Sequence, residues 1–217
     1  MLALLHTSPA HVPVFDALRD EAHPELELRH TVDEDLLVRA RAEGPDAVAG
    51  EVRALLAEAA RDGAGAVLCT CSTIGAVAES VGAEVPVLRV DRPMAEAAVA
   101  VGPRVVVLAT VESTLEPTAS LVRDEARRSG RAVAVRTLLA DGAWPLFEAG
   151  DTSGYVRAVA RAADTVTAAD ADVIVLAQAS MASARDLTTT PVPVLSSPRP
   201  GLAAGAGAVY ANAAGLR

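Results

Sequence analysis

One pattern occurs twice along this chain: a short apolar run gives way to small polar residues and then to a helical segment. The first copy is segment 66–75, AVLCTCSTIG, and the second is segment 173–182, VIVLAQASMA. Continuous apolar runs of this length are typical of parallel strands covered on both faces. In open α/β sheets, ligands bind beside the carboxyl ends of such strands. The repeat therefore predicts an α/β fold with two equivalent strand ends, Cys71 at one and Gln178 at the other.

Strands and helices alternate along the rest of the sequence, as in α/β domains. The predicted strands are Leu2–His6, Leu26–His30, Ala66–Thr70 and Val85–Val90, followed by Arg104–Ala109, Ala132–Leu138, Val173–Ala177 and Val192–Leu195. Helices are predicted between them, including Ala47–Arg61, Pro93–Val101, Leu115–Arg128 and Gly154–Ala168, with a terminal helix over Pro200–Ala214.

The two sets of strands have the same order and nearly the same length, which indicates a tandem duplication. We expect residues 1–101 and 200–217 to form one half and residues 102–199 to form the other. Each half is predicted to be Rossmann- or flavodoxin-like, with its own parallel sheet. The halves are expected to be related by a pseudo-twofold axis, with the active site in the cleft between them.

Composition excludes several classes of function. The net charge of −9 argues against a nucleic-acid or anionic-membrane partner, because both need basic patches. Every basic residue is Arg, and without Lys the chain can hold neither pyridoxal phosphate through a Schiff base nor a Walker-type nucleotide site. The apolar N-terminus has no basic flank, and Cys69 and Cys71 are too close along one strand to bridge. We therefore expect a cytoplasmic protein with reduced thiols.

Several motifs, taken in order, resemble the aspartate/glutamate/hydantoin racemase superfamily. Cys71-Ser72-Thr73 resembles the first cysteine motif of that family, and segment 176–181, LAQASM, resembles its second. Segment 110–114, TVEST, resembles the loop that helps to hold a substrate carboxylate. The resemblance covers the whole chain and implies a racemase without a cofactor, in which one cysteine from each half faces the substrate α-carbon. This chain has Gln178 in place of the second cysteine, so it resembles a one-cysteine variant.

Cys71 is the principal catalytic candidate, because a helix N-terminus favours the thiolate, which is the form that acts as a nucleophile or proton carrier. The small polar residues near the strand ends, with nearby backbone N–H groups, are expected to bind a carboxylate and stabilise an enediolate. These candidate substrate-binding residues are Thr7, Ser8, Ser72, Thr73, Thr110, Ser113, Thr114, Gln178, Ala179 and Ser180. Each hydroxyl is also consistent with an ordinary helix cap.

The second proton carrier is left open, since the amide of Gln178 cannot transfer a proton. Glu112 and His6 are weaker catalytic candidates. Glu112 is equally consistent with a solvent-facing residue in the first turn of a helix, and His6 with a group that favours the Cys71 thiolate. Water is a further alternative.

Three functions remain open: an isomerase acting on a small carboxylate or related substrate, a decarboxylase of malonate-type acids, and a non-catalytic carboxylate-binding protein. Decarboxylation needs only one proton donor, and the superfamily includes single-cysteine arylmalonate decarboxylases, which keep the second-half cysteine instead. The remaining histidines lack metal-ligand spacing, so no metal or cofactor is expected. Segment 33–35, DED, is predicted to be a solvated acidic turn. A homodimer is expected from the resemblance.

Overall fold

The computed structural model describes residues 1–215, and the chain divides into two compact units. The first unit contains residues 1–90 together with the segment that begins at Pro198, and the second contains Asp91–Ser197. Each unit holds one four-stranded parallel sheet. The predicted α/β class with two similar halves is confirmed.

The strand order is the same in both sheets, β2-β1-β3-β4 in the first and β6-β5-β7-β8 in the second. The strands are β1 Leu2–His6, β2 Leu28–Val32, β3 Ala66–Cys69, β4 Val87–Arg89, β5 Arg104–Ala109, β6 Ala134–Leu139, β7 Val173–Leu176 and β8 Val194–Ser196. All neighbouring pairs are parallel; Leu5 is opposite Cys69 in the first sheet, and Leu108 is opposite Leu176 in the second. The carboxyl ends of the central strands therefore lie side by side within each sheet.

Helices connect the strands, as parallel pairing requires. They are α1 Val12–Ala22, α2 Asp35–Glu43, α3 Ala49–Arg61, α4 Ser72–Val81, α5 Arg92–Val101, α6 Leu115–Arg128, α7 Ala143–Glu148, α8 Thr152–Asp164 and α9 Pro198–Ala213. Short 3₁₀ helices cover Pro9–His11, Pro45–Val48, Glu112–Thr114 and Ala179–Leu187. No helix within residues 1–215 is both long and apolar enough to cross a membrane.

The first sheet is covered on both faces. One face packs against α2, α3 and α4 through a cluster that includes Leu5, Cys69 and Cys71. The other face packs against α1 and α9, with Phe15 and Leu202 in the cluster. The C-terminal helix thus supplies part of the core of the first unit.

The second sheet is layered in the same way. Val106 and Ile174 face the cluster that contains Tyr155 of α8, while Val105 and Val173 face α5 and α6. The division between the units falls after Val90, earlier than the predicted boundary at residue 101. The reason is that Met94, Ala95, Ala98 and Val99 of α5 are buried against the second sheet.

The acidic segment 33–35 is not the simple solvated turn that the sequence suggests. Asp35 begins α2, a helix that the sequence analysis missed. The Asp33 carboxylate accepts a hydrogen bond from the backbone N–H of Leu36 at 3.2 Å, and Leu36 is buried. The segment therefore caps a helix.

Candidate active site

Cys71 lies just beyond the carboxyl end of β3, at the N-cap position of α4. Its backbone is extended (φ −102°, ψ 116°), and its side chain is 8 % exposed, so the thiol is nearly enclosed. The first N–H groups of an α-helix have no partner within the helix and carry partial positive charge. Cys71 therefore lies beside the electropositive end of α4.

Cys69 has a different environment two residues earlier. It is fully buried, and its Sγ lies 3.7 Å from the backbone carbonyl oxygen of Cys71. Neither cysteine forms a disulfide within residues 1–215. Cys69 is thus a core residue of β3, and Cys71 is the thiol at the edge of the sheet.

The predicted hydroxyl residues of the first unit follow the carboxyl ends of β1 and β3, at this edge. Ser72 and Thr73 form the first turn of α4 and are buried. Thr7 follows β1 and is also buried, whereas Ser8 is partly exposed at the N-cap of the 3₁₀ helix Pro9–His11. Ser8 makes no side-chain cap hydrogen bond there. Because β1 and β3 are paired neighbours, these residues share one sheet edge with Cys71.

His6, the last residue of β1, is fully buried within a chain of hydrogen bonds. Its Nδ1 lies 2.8 Å from Thr70 Oγ1, and its Nε2 lies 2.8 Å from His30 Nδ1. The other nitrogen of His30, Nε2, lies 3.2 Å from a carboxylate oxygen of Asp16 in α1. Thr70 Oγ1 also lies 3.2 Å from the carbonyl oxygen of Leu5. The side chain of His6 is therefore engaged by Thr70 and His30.

Two histidines of this region are held neutral. Burial lowers the pKa of His6 to about 3, and the neighbouring His11 and His30 add to the effect. Burial also lowers the pKa of His11 to about 4. The His11 ring lies 6.1 Å from the His6 ring in an edge-on arrangement, and its Nδ1 is buried without a hydrogen-bond partner among the described residues.

Gln178 occupies in the second unit the place that Cys71 occupies in the first. It lies just beyond β7, with an extended backbone (φ −122°, ψ 140°), as the N-cap of the 3₁₀ helix Ala179–Leu187. Its Oε1 accepts hydrogen bonds from the backbone N–H of Thr110 at 2.7 Å and from the Thr110 hydroxyl at 2.9 Å. Because a backbone N–H can only donate, the atom facing it must be the amide oxygen. The NH₂ group of this partly exposed side chain is therefore the end left to donate to a ligand.

A buried tyrosine extends this hydrogen-bond network. Tyr155 of α8 is 1 % exposed, and its hydroxyl lies 2.8 Å from Ser180 Oγ and 3.5 Å from Thr110 Oγ1. Burial raises the pKa of Tyr155, although the hydrogen bonds with Ser180 and Thr110 oppose the increase. Thr110, Gln178 and Ser180 are thus brought together in one hydrogen-bond network. Ala179, also a candidate, is buried at the start of the 3₁₀ helix.

The residues of the loop that contains Glu112 differ in their exposure to solvent. Glu112 begins the 3₁₀ helix Glu112–Thr114 and is exposed. Thr114 is buried, and the Oγ of Ser113 is buried without a hydrogen-bond partner within residues 1–215. The exposure of Glu112 is that of a solvent-facing residue ahead of α6.

Sequence reasoning missed several residues of these edges: Asp16, His30, Thr70 and Tyr155. His6 and His30 each end a predicted strand, but in the observed register His6 is opposite Val32 and His30 is opposite Leu4, so the predicted strand ends do not give their contact. Arg89 is only 4 % exposed, and its guanidinium packs against Gly75, where an added Cβ would lie 3.0 Å from Nε. Nothing in the sequence marks that close approach except the glycine. Among the described residues, no three His, Cys, Asp or Glu side chains are grouped to hold a metal ion.

Comparison with known families identifies one that matches the sequence of this chain. The sequence model of the Asp/Glu/Hydantoin racemase family matches residues 9–204. No curated protein matches the chain in sequence. Three similar solved structures are an aspartate racemase from Picrophilus torridus, a glutamate racemase from Bacillus anthracis and an arylmalonate decarboxylase.

The similarity to these structures extends over nearly the whole chain. The aspartate racemase has a TM-score of 0.72 at 14 % identity, with 96 % of this chain and 94 % of that one covered. The glutamate racemase has a TM-score of 0.68 at 17 % identity, with 100 % of this chain and 83 % of that one covered. The decarboxylase has a TM-score of 0.58 at 20 % identity, with 96 % of this chain and 92 % of that one covered. At these identities the comparison establishes a shared fold.

Proposed function

Because this chain belongs to the Asp/Glu/Hydantoin racemase family, we propose that it is a cofactor-independent isomerase, a racemase or epimerase. Its reaction is proton transfer at the α-carbon of a small carboxylate or a related substrate. The position of Cys71 carries the proposal, since this residue is the N-cap of α4 at the carboxyl end of β3, where ligands bind in open α/β sheets.

In this reaction Cys71 acts as the base that removes the α-proton, and the electron pair of the broken C–H bond moves into the substrate carboxylate. A proton from water or a second acid then adds to the opposite face of the α-carbon and completes the isomerisation. The enediolate intermediate carries more charge on its oxygens than the substrate does. Hydrogen-bond donors directed at those oxygens lower the barrier because they bind the transition state more strongly than the ground state. The N–H groups of the first turn of α4, with Ser72 and Thr73, are the donors nearest to Cys71 in the chain.

A decarboxylase is the second candidate, and Gln178 favours it. An amide has no proton to transfer at neutral pH, so only one of the two equivalent strand ends carries an acid/base group. Loss of CO₂ from a malonate leaves the electron pair on the α-carbon, and one proton from the Cys71 thiol completes the product. The NH₂ group of Gln178, oriented by Thr110, suits a carboxylate or enediolate oxygen.

Proton NMR in D₂O tests both candidates together. The purified protein is incubated with pooled amino acids, hydantoins, 2-hydroxy acids and substituted malonates, in parallel with the variants Cys71→Ala and Cys69→Ala. Cys69 is the matched control, because it is a thiol of the same strand that is fully buried.

Deuterium exchange at an α-carbon without CO₂ loss, abolished only by Cys71→Ala, is the result expected for the isomerase. Deuterium incorporation coupled to CO₂ release would identify the decarboxylase instead. Equal signal broadening of one compound by all three proteins, without turnover, would mean a non-catalytic binding protein and would refute the enzymatic proposal.

A further inference from the structure

Four side chains form a continuous path from the surface of the first unit to the residue before Cys71. Asp16 is 42 % exposed, His30 is 15 % exposed, and His6 and Thr70 are buried. The three successive contacts measure 3.2, 2.8 and 2.8 Å, which are hydrogen-bond distances. Each of the two imidazoles uses both ring nitrogens in the path. Such a chain can pass a proton along its length.

The geometry fixes the direction of the chain when both histidines are neutral. The Nε2 of His30 faces a carboxylate oxygen, which only accepts, so this nitrogen carries the hydrogen. Then His30 Nδ1 is an acceptor, and His6 must donate to it from Nε2. His6 Nδ1 is in turn an acceptor, so the Thr70 hydroxyl donates to it.

One added proton reverses every internal link of this chain. Protonated His30 carries hydrogen on both nitrogens and donates to His6 as well as to Asp16. His6 then accepts at Nε2 and carries its hydrogen on Nδ1, from which it donates to Thr70. The Thr70 hydroxyl needs another acceptor, and the carbonyl oxygen of Leu5 lies 3.2 Å away for this purpose. Both arrangements satisfy every hydrogen bond, and they differ by one proton.

We infer that Thr70, His6, His30 and Asp16 form a proton relay that connects the sheet edge bearing Cys71 to the solvent. A proton that arrives at the Thr70 oxygen displaces the hydroxyl proton onto His6 Nδ1. The Nε2 proton of His6 moves to His30, which becomes an imidazolium beside Asp16 and releases a proton outward. The reverse sequence carries a proton inward.

The surroundings keep the added charge at the outer end of the relay. The charged or titratable groups that face it are His11 beside His6, Asp16 beside His30, and Arg19, whose Nη2 lies 3.7 Å from the Asp16 carboxylate. His6 also packs against the apolar ring of Phe15. The lowered pKa of His6 is consistent with a residue that passes protons on without holding a charge.

The relay extends the proposed function and rests on it, because the relay has a role in catalysis only if Cys71 transfers protons. Cys71 is nearly enclosed, and a thiol that gives its proton to a product must regain one before the next turnover. His6, His30 and Asp16 are in this view positioning and proton-transport residues, whereas Cys71 is the catalytic group.

Histidine-selective ¹⁵N NMR of the full chain tests the relay without a substrate. The sequence contains four histidines, so single variants assign every ring signal. We expect His6 to be the Nε2–H tautomer when both histidines of the path are neutral, and to become the Nδ1–H tautomer, still neutral, once His30 carries an added proton. His30→Gln should abolish this switch, and His23→Gln, which alters a histidine outside the path, should leave it unchanged. A His6 ring that keeps one tautomer while His30 is protonated would overturn the relay.

The kinetic constants kcat and KM provide a second test of the relay. His30→Gln can still form hydrogen bonds but cannot carry a proton, so we expect kcat to fall roughly 10- to 100-fold with little change in KM. Unchanged kcat with a tautomer switch would limit the chain to a structural role and contradict the relay. If the switch occurs and no substrate turns over with the unaltered protein, the proposed function fails while proton conduction stands.

Discussion

The side-chain amide of Gln178 is oriented by Thr110. Its oxygen accepts from the Thr110 backbone N–H at 2.7 Å and from the Thr110 hydroxyl at 2.9 Å. The carboxyl end of β7 thus carries an oriented hydrogen-bond donor, the NH₂ group of Gln178. We propose that this NH₂ group binds an anionic group of the substrate.

Gln178→Glu tests this interpretation. One carboxylate oxygen can keep both hydrogen bonds from Thr110, while the other replaces the donating NH₂ group with a negative charge. We expect KM for a carboxylate substrate to rise roughly 10- to 100-fold, since a hydrogen bond to a charged group is worth about 1.5–3 kcal/mol. Steady-state kinetics and a melting curve should show weaker binding with an unchanged melting temperature. An unchanged KM would show that Gln178 does not bind the substrate.

Tyr155→Phe should destabilise the second unit, although the aromatic ring is kept. The substitution removes the hydroxyl that lies 2.8 Å from Ser180 Oγ. A lost hydrogen bond of this kind costs about 1 kcal/mol, which corresponds to a fall of roughly 2–4 °C in Tm for a chain of this size. Calorimetry measures the shift, and Tyr210→Phe is the control because Tyr210 is 49 % exposed. Equal Tm values for both variants would contradict the network.

Acidification should weaken the fold before the carboxylates titrate. The pKa of His6 is lowered to about 3 and that of His11 to about 4, both from 6.5. Below about pH 6.5 the unfolded chain takes up protons that the folded chain does not, so the stabilisation is complete above that pH and is lost as the pH falls. Each ring contributes up to about 1.4 kcal/mol per pH unit in this window.

Urea unfolding between about pH 7 and about pH 5 measures this loss. His11→Gln should flatten the decrease in the free energy of unfolding, because one of the two rings no longer titrates. His23→Gln should leave the slope as it is. Identical slopes for the unaltered protein and His11→Gln would show that His11 is not held neutral by the fold.

Two glycines of α9 should respond to alanine in opposite ways. A Cβ at Gly201 would lie 2.5 Å from the backbone oxygen of Val90, so Gly201→Ala must displace the helix, at a cost of about 1–3 kcal/mol. A Cβ at Gly207 meets nothing within 4 Å, and Gly207→Ala should stabilise the helix by up to about 1 kcal/mol. Chemical denaturation measures the free energy of unfolding of both variants. An unchanged free energy of unfolding in Gly201→Ala would contradict the close packing of α9 against Val90.

The sequence predicts the central strands better than the edge strands, for a physical reason. β1 and β5 have the predicted bounds, because strands buried on both faces are continuous apolar runs. The edge strands β2 and β6 begin two residues later than predicted, and many of their residues are at least partly exposed. Their weaker apolar pattern does not fix their register with the neighbouring strand.

The candidate site could be predicted only as separate strand ends. Cys71 and Gln178 follow apolar runs, and that local pattern places each of them correctly. The contacts of His6 with His30 and of Tyr155 with Ser180 depend on strand register and on helix packing over 24 and 25 positions of the chain. Such contacts have no local signature, and the sequence therefore predicts the chemical groups but not their partners.

The placement of α9 has a consequence for the order in which the protein acquires its structure during synthesis. The second unit is one continuous segment, Asp91–Ser197, whereas the first unit needs α9, which is translated after that segment. The face of the first sheet that α9 covers, including Leu2 and Leu68, therefore stays incomplete on the ribosome until the second unit has already emerged. Translation presents the two halves for folding in the reverse of their sequence order.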